Sequence, residues 1–195
     1  MNNPSLIAFL ALISGACFAG ASTLFVRLSE LGPIGSAFQR VFLAIPFLWI
    51  WVTWERNRFG ITGFWPKRRD FMIIMLAGVF FAGDLFFWHL AITNTSVANA
   101  TILATLAPIY VVFWMYILFK EIPKPKFLVG LSLAVVGVLL LIGDSMVFDL
   151  GSLLGNIYGV ITGIFFAAYI VAIGFVRGRI STASVMFLST SITAL

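Results

Sequence analysis

Long apolar runs separated by short polar connections set the pattern of this chain. The clearest pair is residues 71–92 and 98–119, divided by the polar turn Thr93-Asn94-Thr95-Ser96. Each run holds about 22 residues, enough at ~1.5 Å of rise per residue to cross a hydrocarbon core of ~30 Å. The two form a membrane hairpin. By the same reasoning residues 6–26, 34–54, 127–143 and 153–176 are further spans, and Thr182 opens a seventh apolar run in which the chain stops. The Ala-rich first run is not a cleaved signal peptide, because Met-Asn-Asn-Pro-Ser lacks a positive region and Arg27 closes the run as it would close a span. The pattern predicts an all-α polytopic membrane helix bundle.

Composition agrees with that pattern. The chain is 62% hydrophobic and 10% charged, with a mean hydropathy of +1.10, whereas about a quarter of the residues in soluble domains are charged. The net charge of +5 does not imply a nucleic-acid partner, because the basic residues sit in short clusters between apolar runs and form no continuous face. Their placement orients the chain instead. The connections after spans two, four and six hold five, three and two Lys or Arg residues, and those after spans three and five hold none. Positive connections stay in the cytoplasm, so the expected location is the cell (inner or plasma) membrane, multi-pass, with a cytoplasmic N terminus. Arg27 and Arg40 are the exceptions. The single cysteine, Cys17, lies within an apolar run and reads as a small packing residue.

Internal similarity comes next. An offset of about 148 residues sets Ile13-Ser14-Gly15-Ala16-Cys17-Phe18-Ala19-Gly20 over Ile161-Thr162-Gly163-Ile164-Phe165-Phe166-Ala167-Ala168, with half the pairs identical. A duplicated unit of five spans is odd-numbered, so its second copy enters the bilayer inverted, an arrangement used by secondary transporters. The expected units are residues 1–146, with five transmembrane helices, and 147–195, with the sixth and part of the seventh.

Several stretches carry a resemblance to a known family. They are SGACFAGASTLFVR in span one, Gln39-Arg40-Val41 in span two, ANATILATLAPIYVVFWMYILFKE in span four, GLSLAVVGVLLLIG in span five and GSLLGNIYGVITGIFFAAY in span six. The chain resembles the EamA branch of the drug/metabolite transporter (DMT) superfamily over essentially its whole length. The resemblance implies two five-helix EamA units in tandem, the second truncated here, and small-molecule transport, with export as the direction.

Candidate chemistry is confined to a few polar groups inside the spans. Arg40 and Asp84 lie roughly 9 and 12 Å from the outer ends of spans two and three at ~1.5 Å per residue, so they share a level and are expected to interact. Ion pairing within the bundle and a polar cavity in which Arg40 holds an anionic group are both open readings. Trp88 and Phe80 share the Asp84 face, whereas His89 is rotated away and reads as a residue at headgroup level. Asn99, Thr101 and Thr105 open span four, Asn156, Tyr158 and Thr162 open span six, and Ser22 and Thr23 close span one, all in the outer half. Pro108 removes a backbone hydrogen bond at mid-span and marks a kink or gate. Gly15 is a packing glycine, and Gly155, Gly159 and Gly163 form a small-residue stripe, favoured as packing within the bundle over a homodimer contact.

The same inventory argues against other classes. One histidine and one cysteine cannot form a histidine-rich metal centre, no phosphate-binding Gly-rich loop is present, and no nucleophile is framed by a base. The expectation is therefore a permease without catalytic residues, cofactor or metal, working by alternating access. Its partners are the lipid bilayer and a small-molecule substrate such as a metabolite or amino-acid-like compound. A non-transporting membrane subunit or scaffold is the alternative, with an intramembrane enzyme behind it.

Overall fold

In the computed structural model, residues 4–28, 32–59, 66–142 and 150–195 are described, and they build an all-helical bundle. The helices are α1 (Pro4–Leu28), α2 (Gly32–Phe59), α3 (Arg68–Asn94), α4 (Val97–Thr105), α5 (Ala107–Phe119), α6 (Pro125–Ile142), α7 (Leu150–Val176) and α8 (Thr182–Thr193). Among the described residues, Gly35–Phe59, Arg68–Asn94, Val97–Phe119 and Leu153–Val176 are each long and apolar enough to cross a membrane. Ala8–Phe18, Pro125–Gly137 and Thr182–Thr193 are shorter apolar stretches. The connection carrying Asp144 and Asp149 lies outside the described residues.

Local chemistry explains where the helices stop. Ser96 accepts a hydrogen bond from the Asn99 backbone N–H at 3.0 Å and so caps α4. Pro108 has no N–H to give, and span four divides at Leu106, the junction between α4 and α5. The Tyr110 hydroxyl reaches back over that break to the Leu103 carbonyl at 3.5 Å. Lys120 ends α5 in the left-handed conformation with φ of 56°, and Pro123 and Pro125 prevent the helix from resuming at once.

Polarity is distributed as a lipid environment requires. Large apolar side chains face outward, among them Phe47, Leu133 and Leu140. Meanwhile Ser36, Asp70, Asp84, His89, Asn99, Thr162, Ser184 and Ser189 are all buried between helices. Hydrocarbon offers polar groups no partners, so they turn inward.

The main seam joins α3 to α7, which run antiparallel. Thr95 Oγ1 donates to Asn156 Oδ1 at 3.0 Å at one end. Phe87 stacks on Phe165 and Phe81 on Tyr169 farther along, with centroids 5.6 and 5.0 Å apart. Arg179 pairs with Asp70 at 2.9 Å at the other end. Gly155 makes this closeness possible at the end of α3, and the rest of the stripe seats α7 on α4 and α5. A Cβ on Gly155 would stand 2.6 Å from the backbone of Asn94 and Thr95, and one on Gly159 would stand 3.1 Å from Leu103 Cβ. Gly163 is closed by Tyr110 and Leu103. The stripe packs within the bundle, against the end of α3 and against α4 and α5, and this face of α7 is not free for a homodimer. Gly15, expected to pack, does not: nothing described lies within 4 Å of where its Cβ would stand, and α1 leaves that face uncovered.

At the Asp70 end, α8 returns alongside α3 and α2. Ile74, Val176, Val185 and Leu188 form a buried apolar core with Ile73, Ile173, Ile180, Phe187 and Ile192 against it. Thr193 Oγ1 donates to the Gly78 carbonyl at 2.9 Å, and Trp49 of α2 meets Phe187 with ring centroids 5.2 Å apart. A turn through Gly178, φ +83°, brings Arg179 back onto Asp70.

The seam generates a direct contrast. Gly155→Ala should destabilise the detergent-solubilised chain by roughly 1–3 kcal/mol, because the new methyl meets backbone that cannot step aside. Gly15→Ala should be neutral or stabilising by up to about 1 kcal/mol, from helix propensity alone. Unfolding curves of the two variants check the difference; equal losses would mean that α7 is not seated on α3 as described.

Candidate functional site

The end of the bundle opposite Asp70 gathers most of the polar residues that the sequence singles out. The end of α3, the start of α4 and the start of α7 meet there, with α2 crossing beside them. Ala91, Ile92 and Ala100 form a small buried cluster, and Trp88, Val97 and Tyr158 pack around it. Small residues at the centre let three helices approach, and the aromatic rings close the gap around them.

Asp84 is 8% exposed and faces the interior of the bundle. Its backbone carbonyl accepts a weak hydrogen bond from Thr162 Oγ1 of α7 at 3.5 Å. Arg40 reaches the same level from α2, but it does not form a direct ion pair with Asp84. Its guanidinium lies over the Trp88 ring, 5.7 Å from the centroid. The shared depth expected from the sequence is present. The side-chain direction differs, because one turn after Asp84 the indole offers a cation–π surface in place of a carboxylate. Arg40 stays largely exposed along its length, which leaves its donors open to another anion. Phe80 turns away from this group to Trp114 and Phe165, at 6.3 and 6.2 Å.

His89 corrects a sequence expectation. It is 0% exposed, not a headgroup-level side chain. Its distance from the helix end is small, but α3 is covered laterally at this point and Trp88 stands edge-on to the imidazole at 5.0 Å. Its Nδ1 lies 2.7 Å from the Leu85 carbonyl, and its Nε2 is buried without a partner among the described residues. Asn99 is 4% exposed, with Oδ1 likewise unmet. Ser36, one turn before Arg40 on α2, has a third such atom in its Oγ. The sequence reading passed over Ser36, although its spacing of four from Arg40 puts the two on one helix face.

The other candidates divide. Asn156 is half-buried and committed to Thr95. Tyr158 is half-buried with its ring 6.0 Å from Phe87. Thr101 is half-buried on α4, whereas Thr105 is exposed and donates back to the Ile102 carbonyl at 2.9 Å. The side chains of Ser22 and Thr23 lie outside the described residues. Pro108 follows a one-residue interruption at Leu106 that divides span four into α4 and α5. Among the described residues no group of three or more His, Cys, Asp or Glu converges as a metal site.

A cleft of about 310 Å³ lies between α5 and the start of α6, lined by Val111, Val112, Met115, Ile122 and Phe127 together with Glu121 and Lys124. It contains none of the cavity candidates. The sequence also missed the Asp70–Arg179 pair, where Asp70 is nearly buried in the first turn of α3. Asp70 follows Lys67, Arg68 and Arg69 and looks solvated by its basic neighbours; only the return of α7 assigns its partner.

Comparison with known proteins bears on what such a bundle does. The EamA-like transporter family matches residues 5–143. An uncharacterized transporter of Archaeoglobus fulgidus is 30% identical over 148 residues, which are 75% of this chain and 49% of that protein. The chain thus spans about half the length of the curated relative it matches. No solved structure matches it. An all-helical bundle with polar groups folded inward, matched to that family over most of its length, is a multi-pass membrane protein that belongs to the EamA-like transporter family.

Proposed function

We propose that this chain belongs to an inner- or plasma-membrane permease that exports a small metabolite or amino-acid-like compound by alternating access. Arg40 carries the reading: a guanidinium held over Trp88, near Asp84 yet not neutralised by direct contact, at the polar end of the bundle. It can hold an anionic group there. Asp84, Trp88, Asn99, Thr101, Asn156 and Tyr158 are the proposed walls, and the break at Pro108 is the proposed gate. Outward direction rests on family membership alone, and transport is favoured over intramembrane catalysis because the family is one of transporters.

The two ends then have different roles in the proposal. Positive-inside counting assigns the Asp70 end to the cytoplasm, where the core around Ile74 and Leu188 and the Arg179–Asp70 pair seal the bundle. The first unit is taken as residues 1–146 and the second, inverted, as beginning at 147. The Arg179–Asp70 pair joins α3 of the first to the α7–α8 turn of the second. That position suits a latch which parts when the inner side opens.

Reporters fused after Arg69, Lys124 and Arg179 should read cytoplasmic, and those after Thr95 and Asp149 external. A cytoplasmic signal at Asp149 would invert the second unit and remove the odd-numbered repeat.

In a Cys17→Ala background, cysteines at Thr101 and Asn156 should react with an impermeant thiol reagent added outside, and one at Ile74 should stay silent. A substrate found by screening amino acids and small organic acids should protect the first two positions, and Arg40→Gln should remove that protection. Labelling at Ile74 with silence at Thr101 and Asn156 would reverse the assignment of the ends. No protection by any compound in such a screen would favour a scaffold. Asp70→Asn should raise labelling at Ile74 by loosening the latch, an increase that Arg179→Gln should reproduce.

A further inference from the structure

The cleft between α5 and α6 stands at the Asp70 end of the bundle and has no part in the proposed substrate site. Phe119, the last residue of α5, meets Phe175 near the end of α7 with ring centroids 5.3 Å apart, which places the following turn at the level of Arg177 and Arg179. Val111, Val112 and Met115 supply one apolar wall from within span four, Phe127 adds to it from α6, and Glu121 and Lys124 line the cleft from the turn. Lys120 follows Val111 by nine residues, so the apolar part reaches roughly 13 Å below the turn at ~1.5 Å per residue. That depth is hydrocarbon.

Charge gathers at the top of this wall. Lys120, Lys124 and Lys126 outnumber Glu121, the one acid of the turn, and all four side chains are exposed. None of the four is in an ion pair among the described residues. Lys120 Nζ lies over the Tyr116 ring, 5.3 Å from its centroid, which keeps its charge on the α5 side. Unpaired cations above an apolar slot call for an anion that carries hydrocarbon. A soluble anion would leave the slot unfilled, and a further transmembrane helix, ~10 Å across, is too wide for a cleft of about 310 Å³ to seat over several turns. A lipid of no net charge leaves the surplus lysines unmatched, whereas the anionic lipids of a cytoplasmic leaflet are drawn to basic residues at the membrane surface. Only α5, α6 and their turn line the cleft, and α6 makes no extensive contact with another described helix, so lipid reaches the slot directly from the bilayer.

We propose that this cleft binds one anionic phospholipid of the cytoplasmic leaflet, with a glycerol headgroup as in phosphatidylglycerol. One acyl chain lies along Val111, Val112 and Met115, and the phosphate meets Lys124, with Lys120 and Lys126 adding to the positive field of the turn. Glu121 disfavours a second negative charge in the headgroup and accepts hydrogen bonds from its hydroxyls. The inference uses the cytoplasmic assignment of the Asp70 end and is independent of the transported compound and of its direction.

The test places the chain in nanodiscs of phosphatidylcholine that contain a small fraction of phosphatidylglycerol with a diazirine in one acyl chain, and maps the photo-adducts by mass spectrometry. Adducts should concentrate on Val111, Val112, Met115 and Phe127. Val112→Trp should displace them by filling the slot, and the smaller Val112→Phe should lower their yield part-way, so the outcome does not hang on one bulky variant folding. Unlabelled phosphatidylglycerol should compete roughly tenfold more effectively than phosphatidylethanolamine with the same acyl chains, and Lys124→Gln and Lys126→Gln should each reduce adduct yield by about fivefold, the worth of one basic residue beside anionic lipid. Replacing the exposed Arg68 and Arg69 together by Gln removes as much charge from the same end, away from the cleft, and should leave the yield unchanged. Adducts spread evenly over the outward faces of the helices, equal competition by the two lipids, or an equal loss from the Arg68 and Arg69 variant would mean a general electrostatic annulus and overturns the site. Displacement by glycerol phosphate added to the solution would make it a phosphate site without a lipid, and overturns it too. A cleft free of adducts, the result if protein covers it in the membrane, does the same.

Discussion

Hydrocarbon cannot hydrogen-bond, and that constraint organises this protein around the contact between α3 and α7. The two helices meet along their full length, from the Thr95–Asn156 hydrogen bond through the Phe87, Phe165, Phe81 and Tyr169 rings to the Arg179–Asp70 pair. Every polar group that either helix carries into the bilayer needs this seam or one of its margins. Without α7, the Asp84 carbonyl loses Thr162 and Asp70 loses Arg179. Glycine makes the contact possible. Gly155 brings α7 onto the end of α3, close enough for the Thr95 hydroxyl to reach Asn156, Gly159 and Gly163 seat α7 on α4 and α5, and dispersion supplies the attraction that a hydrophobic effect cannot provide in lipid.

Span four follows from the same constraint. A helix broken in mid-membrane leaves backbone groups unpaired, which is tolerated only where protein covers them. Here α7 covers them: Gly159 and Gly163 face the break, and Tyr110 turns its hydroxyl toward Leu103. Farther along, Trp114 Nε1 donates to the Ile164 carbonyl at 3.1 Å and holds α5 to α7 beyond the break. The discontinuity is fixed on both sides, so motion at Pro108 would be a change of angle between two held segments and not a local melting.

Hydropathy made the spans legible because it depends only on what each residue does in lipid. The polar turn before α4, the disturbance at Pro108 and the packing role of the α7 stripe were readable for the same reason, being local in sequence. What depends on neighbours was not. Gly15 and Gly163 occupy matching places in similar stretches, yet one is open and the other closed, since a glycine cannot announce which helix will reach it. His89 was misjudged because depth was read along the helix axis, while burial was decided across it. For Arg40 and Asp84 the level was right and the direction was not, because rotation about α2 selects Trp88 as the nearer partner. Asp70 and Arg179 are far apart in the chain, and no local pattern pairs them.

The two ends of the bundle treat charge in opposite ways, and the contrast has a physical consequence. At one end the carboxylate of Asp70 has its cation at 2.9 Å and stands in the first turn of α3, where the helix dipole also favours it, above a continuous apolar core. At the other end Arg40 lies over Trp88 and makes no ion pair with Asp84, and buried atoms of Ser36, His89 and Asn99 have no partner among the described residues. The contacts that close the Asp70 end run along the same α3–α7 seam that carries Asp84 and Thr162, so the packing that fixes one end also fixes the spacing of polar groups at the other.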